Sequence, residues 1–248
     1  MRVLLFAPCF VDQLQPGVGL ATVELLERLG HEVEFRGDQT CCGQPFLNAG
    51  DREGARALAR RLPEVFAGDA PVVCPSASCT AMVRHHVPEL LEGDPAAQEL
   101  AARTFELCEF LVRHGDAEHI RGSFPHRVGL HTGCHGLREL GLGGATESPG
   151  AHPSLVADLL RRLEGLELVE LERPDECCGF GGTFAVREPE VSCAMGRDRL
   201  EDHARSGAEV IVTTDGSCQL HLEGLRGRGA SGPPLLHAAE VLLGAEAP

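Results

Sequence analysis

The sequence predicts an α/β protein of two similar lobes, each built on its own parallel sheet. Three observations lead there. Short apolar runs alternate with segments whose apolar residues recur at helical spacing, the pattern of βαβ units. A Cys-Cys-Gly triplet stands once in each half, as Cys41-Cys42-Gly43 and Cys177-Cys178-Gly179. The elements and motifs around the first triplet recur in the same order around the second. The expected architecture is therefore two Rossmann-like βα lobes related by internal duplication. Residues 1–115 form one lobe, the polar stretch 116–126 a linker, and residues 127–248 the second lobe.

In chain order, residues 2–7 read as a buried strand that delivers Cys9. Val18–Leu29 has helical periodicity, with Gly30 as its stop. His31–Phe35 alternates like a strand and leads to the first triplet. Asp51 is placed to cap a helix through Arg61, which Pro63 ends or bends. Pro71–Cys74 is a further strand, and Cys79 falls in the first turn of a helix through His86. Pro95 is suited to open a long helix ending at Gly115.

Beyond residue 126 the order repeats. Arg127–His131 is a strand ending near Cys134, and His152–Leu163 a helix with Pro153 in its first turn. Leu166–Leu171 runs into the second triplet, Pro189–Ser206 is a helix, Glu209–Thr213 a strand, and Cys218 opens a helix. The closing LLHAAEVLL echoes FELCEFLV, with Glu240 matching Glu109. Matching positions lie 125 residues apart for Cys9 and Cys134, 136 for Cys41 and Cys177, 139 for Cys79 and Cys218, and 131 for Glu109 and Glu240. Offsets that drift by loop-sized amounts in unchanged order describe a duplicated domain, since solenoid periods are far shorter.

Composition bounds the function. The chain of 248 residues is 43% hydrophobic and 24% charged, as a soluble globular protein is. Its formal charge is −15, every basic side chain is Arg, and it has neither Trp nor Tyr. An acidic chain without a basic run or stacking aromatics is unsuited to nucleic acid. No apolar run reaches the roughly 20 residues that span a bilayer, and the N-terminal apolar run is too short for a signal peptide. A cytoplasmic location is expected. Eleven cysteines in a reducing compartment point to metal or redox chemistry rather than to disulfides.

Parallel strands place their C-terminal ends on one edge of a sheet, where α/β proteins bind ligands. Cys9, Cys41, Cys42 and Cys79 each follow an expected strand, and so do Cys134, Cys177, Cys178 and Cys218. Two quartets of thiols are thus predicted, each with the ligand count of an iron–sulfur cluster or a tetrahedral zinc. Both thiols of a doublet can face one site only in a turn, which Gly43 and Gly179 would allow through positive φ. Cys79 and Cys218, at helix N-termini, are expected to have lowered thiol pKa values. Zinc is the alternative, although structural zinc sites usually draw on close cysteine pairs. A thiol–disulfide oxidoreductase is a weaker rival, because no C-x-x-C occurs. The run Gly179–Gly182 lacks the GxGxxG spacing of a dinucleotide loop and suits backbone donation to cluster sulfur instead.

Cys108 and Cys193 read as core residues, and Cys74 as a residue able to approach the first site. Among His85, His86, His131, His135 and His237, the two that flank Cys134 are the best candidates for ligands or neighbours of a metal. His131, His135 and Arg138 are also placed to meet an anionic hydroxy acid, since Arg pairs with a carboxylate bidentately.

Nearly the whole chain resembles the CCG-domain iron–sulfur proteins, and most closely the lactate utilization protein A family. The segments GVGLATVELLERLGHEVEF, QTCCGQP, PSASCTAMVRHH, HTGCHGLRELG, CCGFGGTFAV and HAAEVL carry the resemblance. It implies a subunit of a cytoplasmic complex that oxidises L-lactate to pyruvate, working with a ferredoxin-like iron–sulfur subunit and a third protein. Cysteine-rich subunits of glycolate oxidase and heterodisulfide reductase are more distant relatives. Their last ligand element can be a CxxC, whereas Ser76 and Asp215 stand here three residues before Cys79 and Cys218. Four thiols per site therefore suit one [4Fe–4S] cluster each rather than the paired clusters of heterodisulfide reductase.

Overall fold

A computed structural model describes residues 1–147 and 153–244. Eight strands among them form two sheets. The first joins β1 (Arg2–Leu5), β2 (Glu32–Phe35), β3 (Val72–Cys74) and β4 (Thr104–Glu106) in the order β2-β1-β3-β4. The second joins β5 (Arg127–His131), β6 (Glu167–Leu168), β7 (Val210–Thr213) and β8 (Leu235–His237) in the order β6-β5-β7-β8. Every pairing is parallel. The two orders are the same, as duplication predicts.

The central strands are continuous apolar runs because helices cover both of their faces. Val3, Leu4, Val72, Val73, Val128, Ile211 and Val212 are buried to 1% exposure or less. One core is shared by the two sheets: Leu25, Leu26, Phe110 and Leu111 of the first half pack with Val156, Leu160, Val241 and Leu242 of the second. Separate apolar clusters fill the outer face of each sheet.

The lobes meet reciprocally. Helix Pro16–Arg28 packs on Ala238–Leu243, and helix Leu155–Leu160 packs on Leu107–Arg113. Helix Cys9–Leu14 meets Gly216–Arg226, and helix Cys134–Arg138 meets Ala77–Ala81. In each case an element of one lobe touches a non-equivalent element of the other, and the symmetry mate of that contact is also made. This is the geometry of a two-fold dimer interface built into one chain.

Many expected elements form within two residues of their predicted limits, but the strand expected over Leu166–Leu171 is only Glu167–Leu168, the 152–163 helix ends at Leu160, and one helix is divided. The single helix expected from Pro95 to Gly115 is two, Pro95–Ala102 and Leu107–Arg113, split by β4. Thr104–Glu106 pairs with the open edge of β3, and Glu106 turns the chain by capping the next helix. Cys108 and Thr104 consequently share no helical face, though Cys108 is core as expected. Similarly, the helix break near Pro63 separates Arg52–Ala59 from Arg61–Val65. The helix expected over 152–163 starts at Leu155 with Ser154 as its cap, while His152 lies outside the described residues.

Residues 116–126, expected to link the lobes, hold a short 3-10 turn at Asp116–His119. The Asp116 carboxylate bonds the His31 ring at 3.0 Å, and Ile120 and Phe124 enter the shared core.

Glu106 is fully buried, and its carboxylate accepts from the N–H groups of Cys108 (2.7 Å) and Glu109 (3.1 Å). Burial outweighs those bonds and pushes its pKa up to about 8. A carboxyl whose folded pKa is raised stabilises the fold most below its ordinary range, and that advantage is lost as pH rises towards 8. Glu106→Gln keeps an acceptor without the charge. Its melting temperature relative to wild type should climb between pH 5 and pH 8, following a difference of about 1.4 kcal/mol per pH unit, and then level off. A pH-independent difference in thermal unfolding would contradict this.

Candidate metal centre

Each quartet assembles from three loops at the C-terminal edge of its sheet. Cys9 opens the helix after β1, the Cys41-Cys42 doublet ends the loop after β2, and Cys79 lies in the first turn after β3. Cys134, Cys177-Cys178 and Cys218 follow β5, β6 and β7 in the same way. The Cys42 and Cys79 sulfurs lie 3.4 Å apart, and those of Cys178 and Cys218 3.2 Å apart. Cys9 and Cys134 stand as neighbours of the first cysteine of their doublets, Cys41 and Cys177. All eight thiols are free, and together they line one cavity between the lobes.

The doublets turn as their glycines allow. Gly43 has φ +91° and Gly179 φ +88°, and each donates its N–H back to the first sulfur of its doublet, at 3.5 and 3.3 Å. At Gly179 a side chain is excluded by space as well, since a Cβ would stand 2.6 Å from the Ser192 carbonyl oxygen.

Side chains pin the loops that deliver the doublets. The Gln39 amide accepts from Ala7 N–H at 2.8 Å and donates to the Leu5 and Arg36 carbonyls. In the second lobe the Asp202 carboxylate accepts from the N–H groups of Glu172 and Arg173 at 3.2 Å each. Asp202 is neutralised by Arg199 at 2.9 Å, with both side chains fully buried.

The thiols divide into donors and acceptors. The neighbouring thiols of Cys42 and Cys9 hold Cys41 well below the ordinary thiol range, and those of Cys134 and Cys178 do the same for Cys177. Donation to Cys177, then burial, pushes Cys134 up. The lowering at Cys41 and Cys177 favours the thiolate, the form that binds metal. The expectation for Cys218 is corrected. The Cys178 thiol donates towards it, yet burial and the neighbouring Asp215 carboxylate together push its pKa up. An acidic cap offsets what the helix N-terminus would otherwise supply.

That acidic cap also joins the lobes. Ser76 and Asp215, each three residues ahead of its last cysteine, pair as an isolated antiparallel bridge. Asp215 accepts from Ser217 N–H (3.0 Å) and Ser217 hydroxyl (2.5 Å) in its own lobe. It also accepts from Ser78 N–H (2.8 Å) and Ser76 hydroxyl (3.2 Å) in the other. Burial opposes its ionisation, but the bonds from Ser217 and Ser78 hold it below the ordinary carboxylate range. Two further contacts cross the cavity rim: Phe10 meets Phe180 edge-on at 5.5 Å, and Gln44 meets His135 at 3.4 Å.

The remaining candidates sort clearly. Cys74 is buried beneath the first site and donates to the Ser76 carbonyl, outside the cavity lining. Cys193 is half-buried against the second lobe's outer core. His237 caps the last helix. His85 and His86 bond Glu139, which also holds His135 at 2.5 Å. His131 is buried with a ring nitrogen within 4.8 Å of the Cys178 and Cys218 sulfurs. Arg138, considered for a substrate carboxylate, is paired to Glu147 and Asp175 instead. Sequence reasoning did not find Gln39, Arg199 or Asp202, whose surroundings carry no motif. For the lobe-joining role of Asp215 a signal existed: its matched position with Ser76.

Two parallel α/β lobes, each gathering four cysteines around a Cys-Cys-Gly turn, define a duplicated cysteine-rich domain. The family model described as "CCG: Cysteine-rich domain" matches twice, over residues 3–84 and 128–223. The chain belongs to that family and, within it, to the lactate utilization protein A family. It is 41% identical to lactate utilization protein A of Halalkalibacterium halodurans over 98% of this chain and 96% of that one. To the protein of the same name from Bacillus subtilis it is 40% identical, over 98% and 99%. A hypothetical protein from Helicobacter pylori shares the fold at TM-score 0.64 and 11% identity, over 98% of this chain and 48% of that one. Among the described residues no helix is long and apolar enough to cross a membrane.

Replacing Asp215 by Asn leaves an amide that cannot accept from both sets of donors. Asp215→Asn is expected to destabilise the chain by about 2–4 kcal/mol in urea unfolding. Ser76→Ala, which removes one donor and a long helix-cap bond to Cys79 N–H, should cost about 1 kcal/mol. Equal effects of the two would contradict the bridging role.

Proposed function

We propose that each quartet holds an iron–sulfur cluster, one [4Fe–4S] per site, and that the chain passes electrons in the oxidation of L-lactate to pyruvate. The observation that carries this reading is that both quartets line one cavity. Oxidising a hydroxy acid to a keto acid releases two electrons. Clusters so bound would supply two one-electron centres within a single chamber, in a chain without a flavin or nicotinamide signature. The relatives named for lactate utilization give the substrate class.

The residues present fit such a group. Each lobe offers four unpaired sulfurs, one of them favoured as thiolate, and a glycine N–H aimed at sulfur. Cys9, Cys41, Cys42 and Cys79 would hold the first cluster, and Cys134, Cys177, Cys178 and Cys218 the second. Phe10 and Phe180 give the cavity one apolar flank, whereas Gln44 and His135 give it a polar one. The chain lacks the closely spaced cysteine run of a bacterial ferredoxin. Electrons therefore leave through a ferredoxin-like iron–sulfur subunit, with a third subunit completing a cytoplasmic complex, and the isolated chain is inactive. A cysteine-rich subunit of a glycolate oxidase-like or heterodisulfide reductase-like enzyme is the nearest variant of this reading.

One observation favours zinc as the second reading. Two sulfurs on one tetrahedral zinc, each at about 2.3 Å, stand about 3.8 Å apart. The sulfur contacts of 3.4 and 3.2 Å lie nearer to that spacing than to the wider stance of a cluster.

Protein purified without oxygen and supplied with iron and sulfide should contain both in equal amounts and show an EPR signal on reduction. Gly179→Ala should lose about half of each, because only one doublet turn is disrupted. Zinc without acid-labile sulfide in protein from its native host would overturn the iron–sulfur reading.

A further inference from the structure

The lobes share a backbone plan but differ at one buried position. His131 ends β5, opposite Thr213 on β7, three residues before Cys134. The matching residue of the first lobe, three before Cys9, is Phe6, whose N–H bonds the Val73 carbonyl at 2.9 Å. Phe6 stacks edge-on with Phe66 and packs in an apolar cluster with Cys42 and Cys74. The first site is therefore floored by hydrocarbon.

The second site is floored by an imidazole. His131 is 1% exposed, has a ring nitrogen within 4.8 Å of both the Cys178 and Cys218 sulfurs, and its Nε2 has no hydrogen-bond partner among the described residues. Leaving a buried polar group unpaired is costly. Its apolar counterpart in the first lobe shows that the fold accepts hydrocarbon at this place. Retaining an imidazole is explained if a group bound at the second site completes its bonding.

We propose that His131 donates a hydrogen bond to sulfur at the second site, either a cysteine thiolate or a bound sulfide, and so makes that site the stronger electron acceptor of the two. The inference rests on the iron–sulfur reading above. Four cysteines already complete the ligand set, which leaves the imidazole the role of donor. A hydrogen bond to sulfur stabilises the more negative, reduced state and raises the reduction potential. Phe6 offers no such bond, so an electron entering the shared cavity settles at the second site.

The test uses the full chain, reconstituted with iron and sulfide, in a Cys41→Ala/Cys42→Ala background that leaves the second site alone. Potentiometric EPR titration should give a lower midpoint for His131→Phe, and His131→Gln, which keeps an N–H, should recover part of the loss. Pulsed ENDOR on unsubstituted His131 should find an exchangeable proton coupled to the cluster, a readout that needs no variant to fold. An unmoved midpoint in His131→Phe, or no such proton, would overturn this inference alone. Loss of the cluster in both variants would overturn it by making His131 a ligand. Wild-type protein that takes up neither iron nor sulfide would overturn the iron–sulfur reading itself, and this inference with it.

Discussion

A single buried carboxylate, that of Asp215, fixes how the two cysteine quartets face each other. A carboxylate taken out of water is strongly disfavoured unless its oxygens are fully bonded. Here each oxygen serves one lobe: Oδ1 accepts from Ser217, and Oδ2 from Ser76 and Ser78. The bonds outweigh the burial, so the charge persists. Because Asp215 and Ser76 sit in the turns that present Cys218 and Cys79, the joint between lobes and the last cysteine of each quartet are one structural unit. Any loosening of that joint moves a sulfur in both sites.

Around this joint the duplication is exact in plan and divergent in chemistry. Phe10 is the counterpart of His135, and Gln44 of Phe180, by the same offsets that relate the cysteines. The contacts Phe10–Phe180 and Gln44–His135 are therefore symmetry mates, one apolar and one polar. The polar one continues from His135 through Glu139 to His86 and on to the exposed Glu89. A cavity with identical walls would treat its two ends alike. This one meets hydrocarbon on one flank and hydrogen-bonding groups on the other, and the residues packed behind its cysteines differ in the same sense at Phe6 and His131.

The convergence of the cysteines was legible because topology, not detailed packing, produces it. Once strands and helices alternate, residues that follow strands must share an edge, whatever fills the core. Gly43 and Gly179 were legible for a similar reason, since adjacent side chains reach one site only through a turn. What escaped the sequence was decided by contacts at long range. Thr104–Glu106 lies between two helical patterns and becomes a strand only because β3 offers an open edge. Arg138 sits beside a ligand yet spends its charge on Glu147 and Asp175, the latter 37 residues away. The Cys218 thiol followed its burial and its acidic cap rather than the helix N-terminus, a balance that residue type alone does not settle.

The shared core gives the duplication its functional sense. A parallel sheet opens its ligand edge to solvent, and a single lobe would hold its four sulfurs at that open edge. Two lobes joined about a two-fold, with those edges turned inward, cover each other's sites, and the apolar cluster that includes Leu25, Phe110, Val156 and Leu242 makes the covering permanent rather than an encounter. Cys42, Cys178 and Cys218 are buried in this arrangement, while the other five thiols of the quartets stay partly exposed. The divergence at Phe6 and His131 then gives the two quartets of one covered space chemically different surroundings, hydrocarbon beside the first and an imidazole beside the second.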